Sequence, residues 1–261
     1  MLRACAIGIL ACSLGACVGD LSTIPPGDPP TETELTTAAA DGVTVFGTAS
    51  FGQLPDTAPL IVLFHQGGSN ARAEYGPLVP WLNENGFRTI AWDLRVGGDI
   101  YGLTNRTADA RLPETPSSYC EGLPDMHAAL GKSLDYSTSG RVIIWGSSYS
   151  GALVFHLAAD EADKISRVIS ASPANGPPMV ACLPQARLDE LQTPAFVLNP
   201  TAEMNDEADF LEKSRFEQAG VKVLVVEDGI HGSSMLVDER TEADMSNARD
   251  AVIAWLNQPR S

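Results

Sequence analysis

Residues Leu60–Phe64 read LIVLF, with no polar position among them. A strand with one wet face alternates apolar and polar residues; an unbroken apolar run is covered on both sides. Further short β-rich runs occur at 89–92 (TIAW), 142–145 (VIIW), 167–171, 195–198 (AFVL) and 221–226 (VKVLVV). Between them lie longer segments with helical spacing: about 74–85, ending at Gly86, then 123–133, a stretch opening after Ser148, 207–219, and a last one ending near Leu256. Residues 43–46 and 48–51, flanking Gly47, are expected as the first strands. This alternation predicts one doubly wound α/β domain over residues 42–261, with a mostly parallel sheet of about eight strands. Ligands in such sheets sit beyond the carboxyl ends of the strands, so the residues just after each strand are the candidates for chemistry.

The chain before this domain is of a different kind. Arg3 precedes an apolar run from Ala4 to Ala16 that ends in small residues and is shorter than the about 20 residues a bilayer span needs. Residues 1–16 therefore read as a secretory signal peptide. Its end, Leu14-Gly15-Ala16-Cys17, resembles the lipobox of bacterial lipoproteins, which implies acylation of Cys17, export, and a lipid anchor in the cell envelope. By the same resemblance Val18 after the cysteine favours the outer membrane. Residues 17–41, rich in Pro, Thr, Asp and Glu and without apolar periodicity, are expected as a flexible tether. The net charge is −16 and no basic stripe occurs, which argues against a nucleic-acid partner. No His/Cys cluster has metal-ligand spacing, and no P-loop or G-x-G-x-x-G is present, so neither metal nor cofactor is expected.

The stretch WGSSYSG, following the 142–145 run, offers Ser147, Ser148 and Ser150 as nucleophiles. A nucleophile elbow is a tight strand-to-helix turn in which the positions two before and two after the nucleophile come close, so both must be small. Ser147 would have Trp145 and Tyr149 at those positions. Only Ser148 has Gly146 on one side and a small residue, Ser150, on the other, at the end of a buried strand and the start of a helix.

In that context the chain resembles the α/β-hydrolase superfamily across 42–257. FHQGGSNARAEYGPLVPWLNENGFRTIAWDLR and GIHGSSML are similar to its dienelactone-hydrolase-like and serine-aminopeptidase-like branch. The resemblance implies the α/β-hydrolase fold and a Ser–His–acid mechanism. Two departures stand out: Ser150 replaces the second Gly of G-x-S-x-G, and Ser stands where true dienelactone hydrolases have Cys.

His231 follows the last strand, where the chain order Ser…acid…His places the base. His156 lies in the helix of Ser148 and is read as a helix-face or core residue, His127 sits inside another predicted helix, and His65 ends a strand and is read as shaping a loop. The family's spacing from Pro194 puts Glu203 at the acid position, with Asp206 as the second candidate; the loop after the 167–171 run offers no acid. The resemblance also implies an oxyanion hole built from the Tyr149 N–H and one N–H of the His65-Gln66-Gly67-Gly68 loop. That second donor is Gly67 by direct register, or Gln66 if the loop is one residue shorter.

Only 23 residues separate the runs at 167–171 and 195–198, leaving no room for a large cap domain. With Cys17 acylated, Cys120 and Cys182 remain as a pair in an oxidising compartment, and a disulfide between them would tie two walls of the cleft. The expected function is a serine carboxylesterase acting on small molecules as a monomer. The alternatives are a peptidase or amidase of the serine-aminopeptidase type, or a non-catalytic lipid-anchored binding module.

Overall fold

The computed structural model describes residues 32–111 and 118–259. The signal segment, Cys17 and the tether up to residue 31 lie outside the described residues. The sheet has eight strands: β1 (Glu32–Ala38), β2 (Thr44–Ser50), β3 (Leu60–Phe64), β4 (Arg88–Asp93), β5 (Val142–Ser147), β6 (Ile165–Ala171), β7 (Ala195–Pro200) and β8 (Lys222–Val226). Their order is β1-β2-β4-β3-β5-β6-β7-β8. The β1–β2 and β2–β4 pairs are antiparallel; from β4 to β8 the sheet is parallel.

Side chains of the central strands alternate between two apolar layers. Val62, Phe64, Ile144, Val168 and Val197 enter one; Ile61, Leu63, Ile143, Trp145, Ile169, Phe196 and Leu198 enter the other. Each such side chain contributes about 1.5–3 kcal/mol by leaving water. Eight α-helices appear among the described residues: α1 (Ala71–Tyr75), α2 (Leu78–Glu84), α3 (Arg106–Asp109), α4 (Leu123–Leu134), α5 (Tyr149–Asp160), α6 (Glu207–Gln218), α7 (Asp238–Thr241) and α8 (Ser246–Leu256). No large cap interrupts the described chain.

Three expectations are corrected. Residues 32–38, assigned to the tether, form β1. Their Thr-rich sequence has strand propensity but a single apolar anchor, Leu35; the ladder to β2, an ion pair from Glu34 to Arg106 and the burial of Leu35 supply what local pattern did not. Gly47 does not separate two strands but lies within β2, because a Cβ there would come within 2.6 Å of the Trp92 indole. The helix expected over 74–85 is broken at Gly76 and Pro77 into α1 and α2. Pro77 has no N–H for the Ala73 carbonyl. Arg240 takes over, donating to the Ala73 carbonyl at 2.6 Å and to the Glu74 carbonyl at 2.9 Å.

Candidate active site

Ser148 stands at the junction of β5 and α5 with φ 58° and ψ −118°, a conformation that costs energy for any residue with a Cβ. Tyr149 is the first residue of α5, so its N–H is not used within the helix. A Cβ at position 146 would overlap the Ser150 carbonyl, which makes Gly146 obligatory. The opposite flank is less restrictive. The Ser150 hydroxyl accepts from the Ser147 N–H at 2.8 Å and donates to the Phe64 carbonyl at 2.8 Å. A serine in place of the second glycine therefore cross-links the turn to β3.

The structure brings Ser148, His231 and Glu203 together from the ends of β5, β8 and β7. His231 Nε2 is 2.8 Å from Ser148 Oγ, and Nδ1 is hydrogen-bonded to Glu203 Oε1. With Nδ1–H donating to the carboxylate, Nε2 is left to accept from the serine hydroxyl. The Glu203 hydrogen bond raises the His231 pKa above its ordinary value, opposed by burial. Ser148 is 8 % exposed, while the His231 side chain is 52 % exposed, so the ring forms one lip of the site.

Asp206 is placed elsewhere. It caps α6, accepting from Ala208 N–H at 2.8 Å and Asp209 N–H at 3.1 Å, with Asp209 closing the capping box. The remaining histidines have structural partners. His156 Nε2 is 3.0 Å from the Leu183 carbonyl, and His127 pairs with Asp160 and Glu161 on the surface.

Several residues that carry no sequence signal hold His231 in place. Ser147 Oγ accepts from the Ser233 N–H at 2.8 Å, and Ser172 Oγ from the Gly232 N–H at 3.0 Å. Trp145 Nε1 donates to Ser233 Oγ at 3.0 Å. Gly232 has φ 75°, and a Cβ there would approach Ser147 Oγ to 2.6 Å, so the turn after the histidine requires glycine.

The loop after β3 separates the two candidate oxyanion donors. The Gln66 N–H donates to Glu74 Oε2 at 2.6 Å and is spent, which corrects its candidacy. The Gly67 N–H has no acceptor among the described residues. His65 Nε2 accepts from the Leu94 N–H at 2.8 Å, so the ring proton is on Nδ1, which donates to the Gln66 carbonyl at 2.7 Å. Burial depresses the His65 pKa and keeps the ring neutral. In a trans peptide C=O and N–H oppose one another, so this bond turns the Gly67 N–H away from His65.

The walls of the cleft are tied down. Tyr149 OH donates to the Val96 carbonyl at 2.7 Å, and its ring stacks on Tyr119 with centroids 4.9 Å apart. Cys120 and Cys182 form a disulfide with Cα atoms 5.8 Å apart, joining the segment before α4 to the loop between β6 and β7. A hollow of about 170 Å³ opens beside His231 and Glu203, lined also by Asn175, Met204 and Glu212. A larger one of about 600 Å³, between Arg141, Asp160 and Thr193, lies at the strands' amino ends, away from this chemistry. Among the described residues no group of three His, Cys, Asp or Glu side chains is placed to hold a metal ion.

An eight-stranded sheet of this order with a serine on the turn after β5 defines a hydrolase architecture. The family model described as alpha/beta hydrolase fold matches residues 59–221, and the chain belongs to that family. It is 29 % identical over 117 residues to the quorum-quenching protein AidA of Acinetobacter baumannii, a match spanning 44 % of this chain and 35 % of that one. An esterase of Pyrococcus furiosus superposes with a TM-score of 0.63 at 14 % identity, covering 87 % of this chain and 90 % of the other. A dienelactone hydrolase of Anabaena variabilis gives 0.62 at 15 %, covering 87 % and 97 %. At these identities the structural matches speak to fold.

Proposed function

We propose that this protein is a serine hydrolase that cleaves carboxylic esters of small molecules through Ser148, His231 and Glu203. The observation that carries the reading is the continuous hydrogen-bonded series from Ser148 Oγ through both ring nitrogens of His231 to Glu203. His231 Nε2 takes the Ser148 proton as Oγ attacks the ester carbonyl. Glu203 holds the ring tautomer and stabilises its charged form. The N–H groups of Tyr149 and Gly67 receive the tetrahedral oxyanion, each such donor being worth about a hundred- to a thousandfold in rate. His231 then protonates the departing alcohol, and water, deprotonated by the same imidazole, cleaves the acyl-enzyme.

Covalent labelling with a fluorophosphonate tests the reading. Labelling of the wild type that disappears in Ser148→Ala is expected; no labelling of folded wild type would leave a binding module as the better description. Paired assays with short-chain aryl esters and aminoacyl anilides decide between esterase and peptidase. The lipobox at Cys17 further supports a lipid anchor in the cell envelope. Incorporation of radiolabelled palmitate, abolished by Cys17→Ser, is its test.

A further inference from the structure

Glu74 is a carboxylate in the fully buried part of α1. It does not belong to the Ser148–His231–Glu203 series, yet it lies directly behind the loop that bears Gly67. Its Oε2 accepts from the Gln66 N–H at 2.6 Å, while His65 holds the carbonyl of the same residue from the other side. Residue 66 is thus pinned at both backbone polar groups, and the direction of the next N–H follows from those two bonds. The Gln66 side chain joins the arrangement: Nε2 donates to Tyr101 OH at 3.3 Å, and Tyr101 lies under the Arg240 guanidinium, 3.8 Å from its ring centroid. Glu74 Oε1 and Gln66 Oε1 are both buried without a partner in hydrogen-bond geometry among the described residues. An apolar side chain at 74 would avoid the cost of burying a carboxyl there, so its presence calls for a role.

We propose that Glu74 is a positioning residue of the site described above: its carboxylate fixes the Gln66–Gly67 peptide so that the Gly67 N–H is presented to the substrate oxyanion. The inference rests on the hydrolase reading and adds to it a residue that does not touch substrate. Its charge is also felt at the base. Burial pushes the Glu74 carboxyl up to about 7, against the pull of the nearby Ser147 hydroxyl, the Gln66 N–H and the Arg240 charge. An ionised Glu74 in turn raises the His231 pKa, after the larger effect of Glu203. The other titratable groups around Glu74 are Tyr75 beside it, His65 after β3, Asp93 at the end of β4, and Tyr149 on α5. Burial keeps His65 neutral and holds both phenols well above their ordinary values; Asp93 is paired with Arg106. His231 is therefore the group whose titration is coupled to that of Glu74 near neutrality, beside the fixed positive charge of Arg240.

The test compares Glu74→Gln and Glu74→Leu in the full-length protein by ester hydrolysis against pH, and by affinity for a trifluoromethyl ketone whose tetrahedral adduct occupies the oxyanion hole. Leucine removes the acceptor for the Gln66 N–H. It should lower kcat and ketone affinity together by about ten- to a hundredfold, part of what a lost oxyanion donor costs, with KM little changed. Glutamine keeps an acceptor and loses the charge. It should retain kcat and ketone affinity while moving the acid limb of kcat/KM to lower pH. A folded Glu74→Leu variant with wild-type ketone affinity overturns the proposal. Should that variant not fold, a folded Glu74→Gln variant that loses ketone affinity despite keeping an acceptor overturns it. Wild type that neither hydrolyses esters nor labels with a fluorophosphonate overturns the hydrolase reading itself, an outcome separate from unchanged variants of an active enzyme.

Discussion

Ser150 Oγ lies 2.8 Å from the Phe64 carbonyl oxygen, joining the turn that carries Ser148 to the strand that leads into the Gly67 loop. The two halves of the candidate oxyanion hole thus share one hydroxyl. Ser150→Ala leaves the buried Ser147 N–H without an acceptor and should cost about 1–3 kcal/mol in thermal unfolding. Ser150→Gly, which restores G-x-S-x-G, should be no better, since it loses the same bond and adds backbone freedom. A glycine variant more stable or more active than wild type would show that the hydroxyl only fills space.

The pH profile should report His231. Its pKa is raised by Glu203, so kcat/KM should fall on acidification with a midpoint above the about 6.5 of an ordinary histidine. Glu203→Gln should lower kcat by about ten-thousandfold, as for other triads with a wrong tautomer, and move that midpoint down. Stability follows the opposite course. A folded pKa above the unfolded one contributes stability that is complete below the unfolded pKa and is lost as pH rises through the folded one. The stability gap between wild type and Glu203→Gln should therefore be wider at mildly acidic than at alkaline pH. A gap independent of pH, measured by urea unfolding, would contradict the pairing.

Asp206 and Glu203 are three residues apart and should behave oppositely. Asp206→Ala removes the cap of α6 and should cost about 1 kcal/mol of stability while leaving kcat unchanged. A large loss of kcat without a loss of stability would make Asp206 the acid.

The disulfide spans a sequence separation of 62 residues. Chain entropy assigns it up to about 4 kcal/mol, so reduction should lower the unfolding free energy by an amount of that order. A chain lacking the first 17 residues should titrate no thiol when denatured without reductant and two after reduction.

The strand–helix alternation was legible because the central strands are rich in apolar residues, β3 wholly so, and burial on both faces leaves a mark that needs no knowledge of neighbours. The place of Ser148 was legible for a related reason: the elbow is local, and its steric demand falls on Gly146, two residues away. His231 could be placed because it follows the last strand. Other features depend on groups brought together from distant segments. β1 is a strand because β2, Arg106 and the core receive it, and Gly47 lies within a strand because Trp92 packs against it. Asp206 and Glu203 are both loop carboxylates in sequence; only the fold sets one at a helix N-terminus and the other against an imidazole 28 residues onward. Likewise Gln66 loses its N–H to a buried Glu74 whose sequence context is that of an exposed helix residue. The sequence by itself determined the layers of this protein and the turn that carries its serine, since hydrophobic period and local sterics act over a few residues. The tertiary structure decided which carboxylates and which N–H groups serve the site, since a hydrogen bond depends on where both partners come to rest.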